Sequence, residues 1–287
     1  MYNPASGSCE FAAQFVSLTR QTPFGLPHRL SLMTADIAST HDRPVHLILG
    51  ATGGIGAALA RKLAARGDTL FLAARNRERL DALSRELSAD VLVGSATVEA
   101  ADFADVDCVA DLAVAQFGSL SSVVNCVGSL LLKPAHLTKA EEFQATITAN
   151  LTTAFAAVRA AARVMPNGGS VVLCSSAAAR IGLPNHEAIV AAKAGVLGLM
   201  LSAAATYASR GLRVNAVAPG LTRTPLTARI TASAGASEAS RALHALGRLG
   251  EPEDVAAIIA WLVSGESTWV TGQCYGVDGG LGTVRPK

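Results

Sequence analysis

Five apolar residues, Val45 to Leu49, run directly into Gly50-Ala51-Thr52-Gly53-Gly54-Ile55-Gly56. A helical pattern follows over residues 57–66, with Leu59 and Leu63 four apart. The order is strand, glycine turn, helix, which makes this an α/β chain from its first element. Glycines let such a turn bend tightly and approach a pyrophosphate, whose charge is then held by amide N–H groups and the helix N-terminus. The candidate phosphate-binding residues are therefore Gly50, Thr52, Gly53, Gly54, Ile55 and Gly56.

The 287 residues, half of them hydrophobic and 16% charged, can bury a full core and suffice for one large α/β domain or two small ones. We read one domain over residues 44–287. Twenty-four basic residues against 22 acidic ones leave no basic face interleaved with aromatics, so nucleic acid is not an expected partner. Cys9, Cys108, Cys126, Cys174 and Cys274 show no C-x-x-C spacing, which suggests neither a disulfide framework nor a metal site, and a reducing cytoplasm is the expected location. No apolar run reaches the roughly 18 residues of a bilayer crossing, so no membrane is expected. Residues 1–43 are interrupted by Pro4, Pro23 and Pro27, lack periodicity and are expected to be a poorly ordered extension. Their few acids, with Arg20 and Arg29 among Phe11, Phe15 and Val16, would also suit an organelle transit peptide; a third reading starts the protein at Met33.

Thr69 to Ala74 reads as the second strand, and its end is where a carboxylate would grip the ribose hydroxyls of NAD. Arg75 follows instead. A guanidinium can form forked, charge-assisted bonds to a 2′-phosphate that a carboxylate would repel, so the expected cofactor is NADP(H). A solvated arginine in the run Arg75, Arg77, Arg79 is the plain alternative.

The spacing of Gly50, Gly54 and Gly56 resembles the fingerprint of the short-chain dehydrogenase/reductase family, with Leu49 where that family usually has threonine. Further motifs follow in the family's order. Asn125-Cys126-Val127-Gly128 is similar to its N-N-A-G turn, with two residues changed. Asn150 opens an alanine-rich helix over residues 150–163 and matches the active-site asparagine. Ser176 ends a strand over residues 170–173 and matches the active-site serine. Lys193 matches the active-site lysine, and Pro219-Gly220-Leu221-Thr222-Arg223-Thr224 resembles the turn that contacts the nicotinamide amide and pyrophosphate. The resemblance covers roughly residues 45–280 and implies a doubly wound Rossmann-type domain with a seven-stranded parallel sheet. It also implies cofactor contacts from Asn125, Gly128, Lys193, Pro219, Gly220, Thr222 and Thr224, and a homo-oligomer, dimer or tetramer, built on the helices over residues 150–163 and 189–209.

One place departs from the pattern. Four residues before Lys193, where the family has its proton-donating tyrosine, stands Ile189. Hydride transfer to a carbonyl leaves an oxyanion that some group must protonate or stabilise, and isoleucine does neither. Tyr207 is fourteen residues beyond Lys193, about 21 Å by helix rise, and does not help. His186 is nearer: if the helix begins at Asn185, its imidazole lies on nearly the same face one turn earlier. An imidazole can deliver a proton near neutral pH, although a helix N-terminus disfavours its cation, and Glu187 would favour that cation if it paired with it. The candidate catalytic residues are Asn150, Ser176, His186 and Lys193, with a surface histidine and a Lys193 or water-borne proton as the other readings.

The expected function is an NADP(H)-dependent oxidoreductase moving hydride to or from a small carbonyl, alcohol or enone substrate by an atypical proton path. An enone would relax the need for tyrosine, because protonation then falls on carbon. The reading from another class is a sensor or scaffold that binds NADPH and has lost redox chemistry; Ile189 favours it, retained Ser176 and Asn150 oppose it.

Overall fold

The computed structural model describes residues 43–285, so the readings made for the first 43 residues lie, Arg43 apart, outside the described residues. Strands and helices alternate: β1 (Val45–Leu49), α1 (Gly54–Ala65), β2 (Thr69–Ala74), α2 (Arg77–Leu87), β3 (Val93–Thr97), α3 (Phe103–Phe117), β4 (Ser122–Asn125), α4 (Ala140–Ile147), α5 (Thr153–Val164), β5 (Gly169–Cys174), α6 (Glu187–Tyr207), β6 (Leu212–Pro219), α7 (Ala228–Thr231), α8 (Ala234–Leu243), α9 (Pro252–Leu262) and β7 (Cys274–Val277). The seven strands form one parallel sheet in the order β3-β2-β1-β4-β5-β6-β7. The order reverses between β1 and β4, so the turns that leave these two strands flank the crevice in which such sheets take ligands.

β1 and β2 are buried at every residue because helices cover both faces of the sheet. Alternate strand residues supply two separate core layers. Leu47, Leu49, Val123, Val171 and Leu173 face α3, α5 and α6, while Ile48, Leu70, Leu72, Val124 and Val172 face α1, α2 and α9. Each layer is continuous across the sheet, so α3, α5 and α6 on one face and α1, α2 and α9 on the other are held by strands distant in sequence.

Two sequence expectations need correction. The helix expected over residues 150–163 is preceded by α4 and joined to it through a π-helical turn, Thr148–Thr152. α4 escaped notice because its apolar face is slight: Thr146 is its one buried residue. Its start is marked instead by Glu142, whose carboxylate accepts from the Lys139 N–H at 2.9 Å. In addition, the segment Glu187–Arg210, with a mean hydropathy of 1.8, is long and apolar enough to cross a bilayer by length and composition. Its Val196, Met200, Ala203 and Ala204 are buried in the layer beneath the sheet, which accounts for that apolarity as a core helix.

At the edge opposite the crevice a buried polar group ties three elements together. His46 in β1, fully buried, has Nδ1 2.7 Å from Ser122 Oγ and Nε2 3.2 Å from an Asp68 carboxylate oxygen, which also accepts from Arg66 Nε at 2.6 Å. Burial pushes the Asp68 carboxyl up, but the hydrogen bonds from His46 and Arg66 outweigh it and leave the group below its ordinary value. A carboxyl with a depressed folded pKa adds stability above its unfolded value, about 3.9, that is lost as pH falls through the folded one. Thermal melts should therefore show the wild-type midpoint falling faster than that of Asp68→Asn as pH drops below about 4. Parallel acid limbs would remove Asp68 from the account.

Candidate active site

The turn after β1 is built from backbone. Gly50, at φ 77°, and Ala51 both donate to Ala73 O, at 2.8 and 3.1 Å, and Gly53 N–H closes onto Gly50 O at 3.0 Å. Leu49 is fully buried, so bracing comes from β2 rather than from a side-chain hydroxyl. Gly53 caps α1 without a side-chain bond, and the N–H groups of Gly54, Ile55 and Gly56 occupy the first helical turn, where no intrahelical acceptor exists. A Cβ on Gly56 would lie 2.3 Å from Gly50 O, so only glycine lets the helix approach this closely. A Cβ on Gly54 would lie 2.7 Å from Thr224 Cγ2, which puts the turn after β6 directly over this helix end. Thr52 is half-buried beside them.

Arg75 is exposed one residue past β2 and makes no ion pair among the described residues. Its neighbours are engaged: Asn76 Oδ1 accepts from Arg79 N–H at 2.8 Å, and Arg77 pairs with Asp81 at 3.0 Å. Of the three arginines only Arg77 has its guanidinium in an ion pair among the described residues, and Arg75 is the one placed directly at the strand end.

Three candidates converge beyond β4. A Cβ on Gly128 would stand 3.0 Å from Asn150 Oδ1 and 3.4 Å from Lys193 Nζ, so the amide and the ammonium border the same point. Lys193 is buried and donates from Nζ to Cys174 O at 2.8 Å. Burial pushes its ammonium below the ordinary lysine range, partly opposed by the thiols of Cys174 and Cys126. Asn150 sits within the π turn, with Nδ2 donating to Thr146 O and Ser129 Oγ, each at 2.9 Å, and Oδ1 accepting from Ser129 N–H at 3.2 Å. The extra residue of that turn leaves the Thr146 carbonyl for the side chain instead of the helix ladder.

Ser176, half-buried after β5, accepts at Oγ from Ala178 N–H at 3.2 Å, which leaves its hydroxyl proton for a ligand. Its neighbour Ser175 donates to Lys193 O at 2.9 Å and ties the strand end to α6. Asn125 is turned away: Nδ2 donates to Thr153 Oγ1 at 3.2 Å and Oδ1 accepts from Val127 N–H at 3.1 Å, so its side chain braces the turn from inside.

Ile189 is buried on α6, one turn before Lys193. The helix begins at Glu187, not Asn185, because Asn185 adopts φ 63° and His186 takes the cap position. His186 Nδ1 lies 2.7 Å from Pro184 O. A carbonyl accepts only, so Nδ1 carries its hydrogen and Nε2 is the nitrogen that could exchange a proton.

The turn after β6 is held from below. Gly220 N–H donates to Val277 O at 3.1 Å, Leu221 N–H to His244 Nε2 at 3.2 Å, and His244 Nδ1 faces Ser240 O at 2.7 Å. His244 is buried, and no sequence spacing marked it. Thr222 Oγ1 donates to Gly220 O at 3.1 Å, and Thr224 N–H to Thr227 Oγ1 at 3.0 Å, so Thr222 spends its hydroxyl within the turn that begins at Pro219. A cavity of about 450 Å³ lies behind the turn, lined among others by His244, Arg248 and Ile258, and none of Asn150, Ser176 or Lys193 borders it.

A family model described as enoyl-(acyl carrier protein) reductase matches residues 50–282. The chain is 37% identical over 248 residues to 3beta-hydroxysteroid dehydrogenase 1 of Eggerthella lenta, covering 84% of this chain and 94% of that protein. The chain belongs to the short-chain dehydrogenase/reductase family. Among solved members, one from Mycobacterium ulcerans superposes with a TM-score of 0.81 at 33% identity, covering 85% of this chain and 91% of that one. An actinorhodin polyketide ketoreductase solved with NADPH gives 0.79 at 27% identity, covering 85% and 99%. This short-chain dehydrogenase/reductase is an oxidoreductase of alcohols and carbonyls, with the single parallel sheet of its relatives. Its glycine cradle, which a single Cβ would fill, and the unpaired amides of α1 fit the nicotinamide cofactor the family uses.

Proposed function

We propose that this enzyme is an NADP(H)-dependent reductase or dehydrogenase of small carbonyl, alcohol or enone substrates, working with a proton path that has no tyrosine. The observation that carries the reading is the convergence of Asn150, Gly128 and Lys193, with Ser176 two residues past the Cys174 carbonyl that binds Lys193 Nζ and Ile189 at the tyrosine's position. When bound, the nicotinamide supplies or accepts the hydride. Ser176 donates a hydrogen bond from its free hydroxyl to the substrate oxygen, Lys193 holds the nicotinamide ribose, and Asn150 fixes the loop at Ser129 that borders them. His186, whose Nδ1 is held by Pro184 O, is the group that gives the proton from Nε2 in this reading.

Arg75 supports NADP(H) over NAD(H), since it is exposed directly past the end of β2, where the 2′-phosphate would lie, and has no ion pair among the described residues. Arg75→Glu should lower the preference for NADPH by about 10 to 100 fold in the ratio of the two cofactor affinities, as expected for loss of a charge-assisted pair. An unchanged ratio would make Arg75 a plain surface residue. The proposal also takes the enzyme to be cytoplasmic and a homo-oligomer; Phe155 on α5 and Leu201 on α6, both about half exposed, favour contact between copies.

The second reading, a binding protein that senses NADPH without turning it over, is favoured by Ile189. NADPH consumption over a panel of aldehydes, ketones and enones, with binding measured on the same sample, separates the two. Turnover is the expected result; tight binding with no turnover supports the sensor. His186→Ala should then lose most turnover while keeping NADPH affinity, and equal turnover would move the donor to Lys193 or water.

A further inference from the structure

Two cysteines that this chemistry does not use lie side by side at the crevice edge of the sheet. β4 and β5 are parallel neighbours in the register Val124↔Val172 and Asn125↔Leu173, which carries Cys126 opposite Cys174. Val124 and Val172 belong to the layer facing α1, α2 and α9, and the two cysteines, two residues farther along each strand, pack on that same layer. Their side chains therefore leave adjacent strands toward one face, close enough for each thiol to act on the other as a hydrogen-bonding partner. Both backbones are pinned: Cys126 N–H donates to Leu49 O at 2.9 Å, and Cys174 O accepts from Lys193 Nζ at 2.8 Å. Each residue keeps some exposure, although the thiols themselves lie deep enough for burial to act on both.

We propose that Cys126 and Cys174 form a modification site, a dithiol that closes to an intramolecular disulfide when it meets a two-electron oxidant of the peroxide class. Neighbouring strands are about 4.8 Å apart, within the roughly 4.4–6.8 Å between Cα atoms that a disulfide spans, so closure needs little backbone movement. Cys174 is the attacking sulfur. The hydrogen bond from Cys126, aided by the Lys193 ammonium, holds the Cys174 thiol below its ordinary range against the effect of burial; the same bond, with burial, pushes Cys126 up.

In the first step the Cys174 thiolate attacks one peroxide oxygen, the O–O bond breaks, and the departing hydroxide takes the proton the thiol had released. The products are a sulfenic acid and one water. In the second, the Cys126 sulfur attacks the Cys174 sulfur, the S–O bond breaks, and the leaving hydroxide combines with the Cys126 proton as a second water. Two electrons leave the sulfurs and reduce one peroxide. The bond formed would join the strand ends that lead to Gly128 and to Ser176, beside the phosphate turn, where a Cβ on Gly50 would lie 3.0 Å from the Cys126 carbonyl carbon.

The test uses the full-length protein titrated with hydrogen peroxide, alkylated without reductant and mapped by mass spectrometry. The expected product is about 2 Da lighter before alkylation, has lost two titratable thiols, carries a 126–174 cross-link and recovers on treatment with dithiothreitol. Cys126→Ser should stop at a sulfenic acid on Cys174 that a dimedone probe traps, whereas Cys274→Ser should cross-link as the wild type does. Oxygen addition without the cross-link in the wild type, or cross-links confined to other cysteines, would overturn the proposal.

Discussion

Ile189→Tyr raises turnover of carbonyl reduction by about 100 fold, with NADPH affinity unchanged within a factor of two or so. Positions 189 and 193 are four apart on α6 and share a helix face, so a phenol introduced there stands beside the Lys193 ammonium. A positioned general acid is worth about 10² to 10⁴ in rate, and a neighbouring cation brings a phenol, ordinarily near 10, toward the range where it gives up its proton. The cost is packing. Ile189 is 4% exposed, so the larger ring displaces neighbours and lowers stability by about 1–3 kcal/mol, readable as a lower melting midpoint. Gain in activity with loss of stability is the combined signature. Unchanged kcat in a variant that still binds NADPH would mean that proton delivery does not limit the natural enzyme, and that His186 or a lysine-borne water already suffices.

Lys193→Met runs the other way, losing turnover by at least about 100 fold while gaining stability. The ammonium is buried with one protein acceptor, Cys174 O, and burial holds it below its ordinary value. A lysine whose folded pKa is depressed binds fewer protons folded than unfolded between the two values, so wild-type stability rises with pH across that window, up to about 10.4. Methionine fills similar volume without a charge to desolvate, and the variant should lack that rise. NADPH affinity should fall about tenfold, the worth of a charged hydrogen bond. A variant less stable than wild type at neutral pH, with its affinity intact, would make the lysine a structural post and not a ligand of the ribose.

The fold was legible where local chemistry and long-range order agree. The glycine turn stands out because apolar run, glycines and helical periodicity change within a dozen residues, and the succession from Gly50 through Asn150 and Ser176 to Pro219 implied a doubly wound, seven-stranded parallel sheet before any distance was known. Lys193 and Asn150 were legible as members of a set; that Gly128 makes them meet depends on the end of β4 approaching two helices, which no spacing encodes. The start of α6 was misplaced by two residues because Asn185 takes a left-handed conformation that its identity permits but does not demand. Asn125, which reads like a ligand in its motif, turns inward because Thr153, 28 residues on, offers a hydroxyl. His244 and the apposed Cys126 and Cys174 were invisible for the same reason: each pairing spans segments 23 to 48 residues apart and exists only after the sheet has formed.

The π turn at Thr148–Thr152 has a bearing on how this helix can tolerate change in length. It holds one residue more than an α-helix needs between α4 and α5, so the segment is a stored insertion. Losing a residue there would heal the helix and improve its hydrogen bonding, yet it would rotate everything on one side by about 100° relative to the other. Asn150 would swing off Ser129 while α5 kept its hold on the sheet. At this one place, drift toward a more regular backbone is drift away from a working site, and a shorter helix is the change that selection for stability alone would favour.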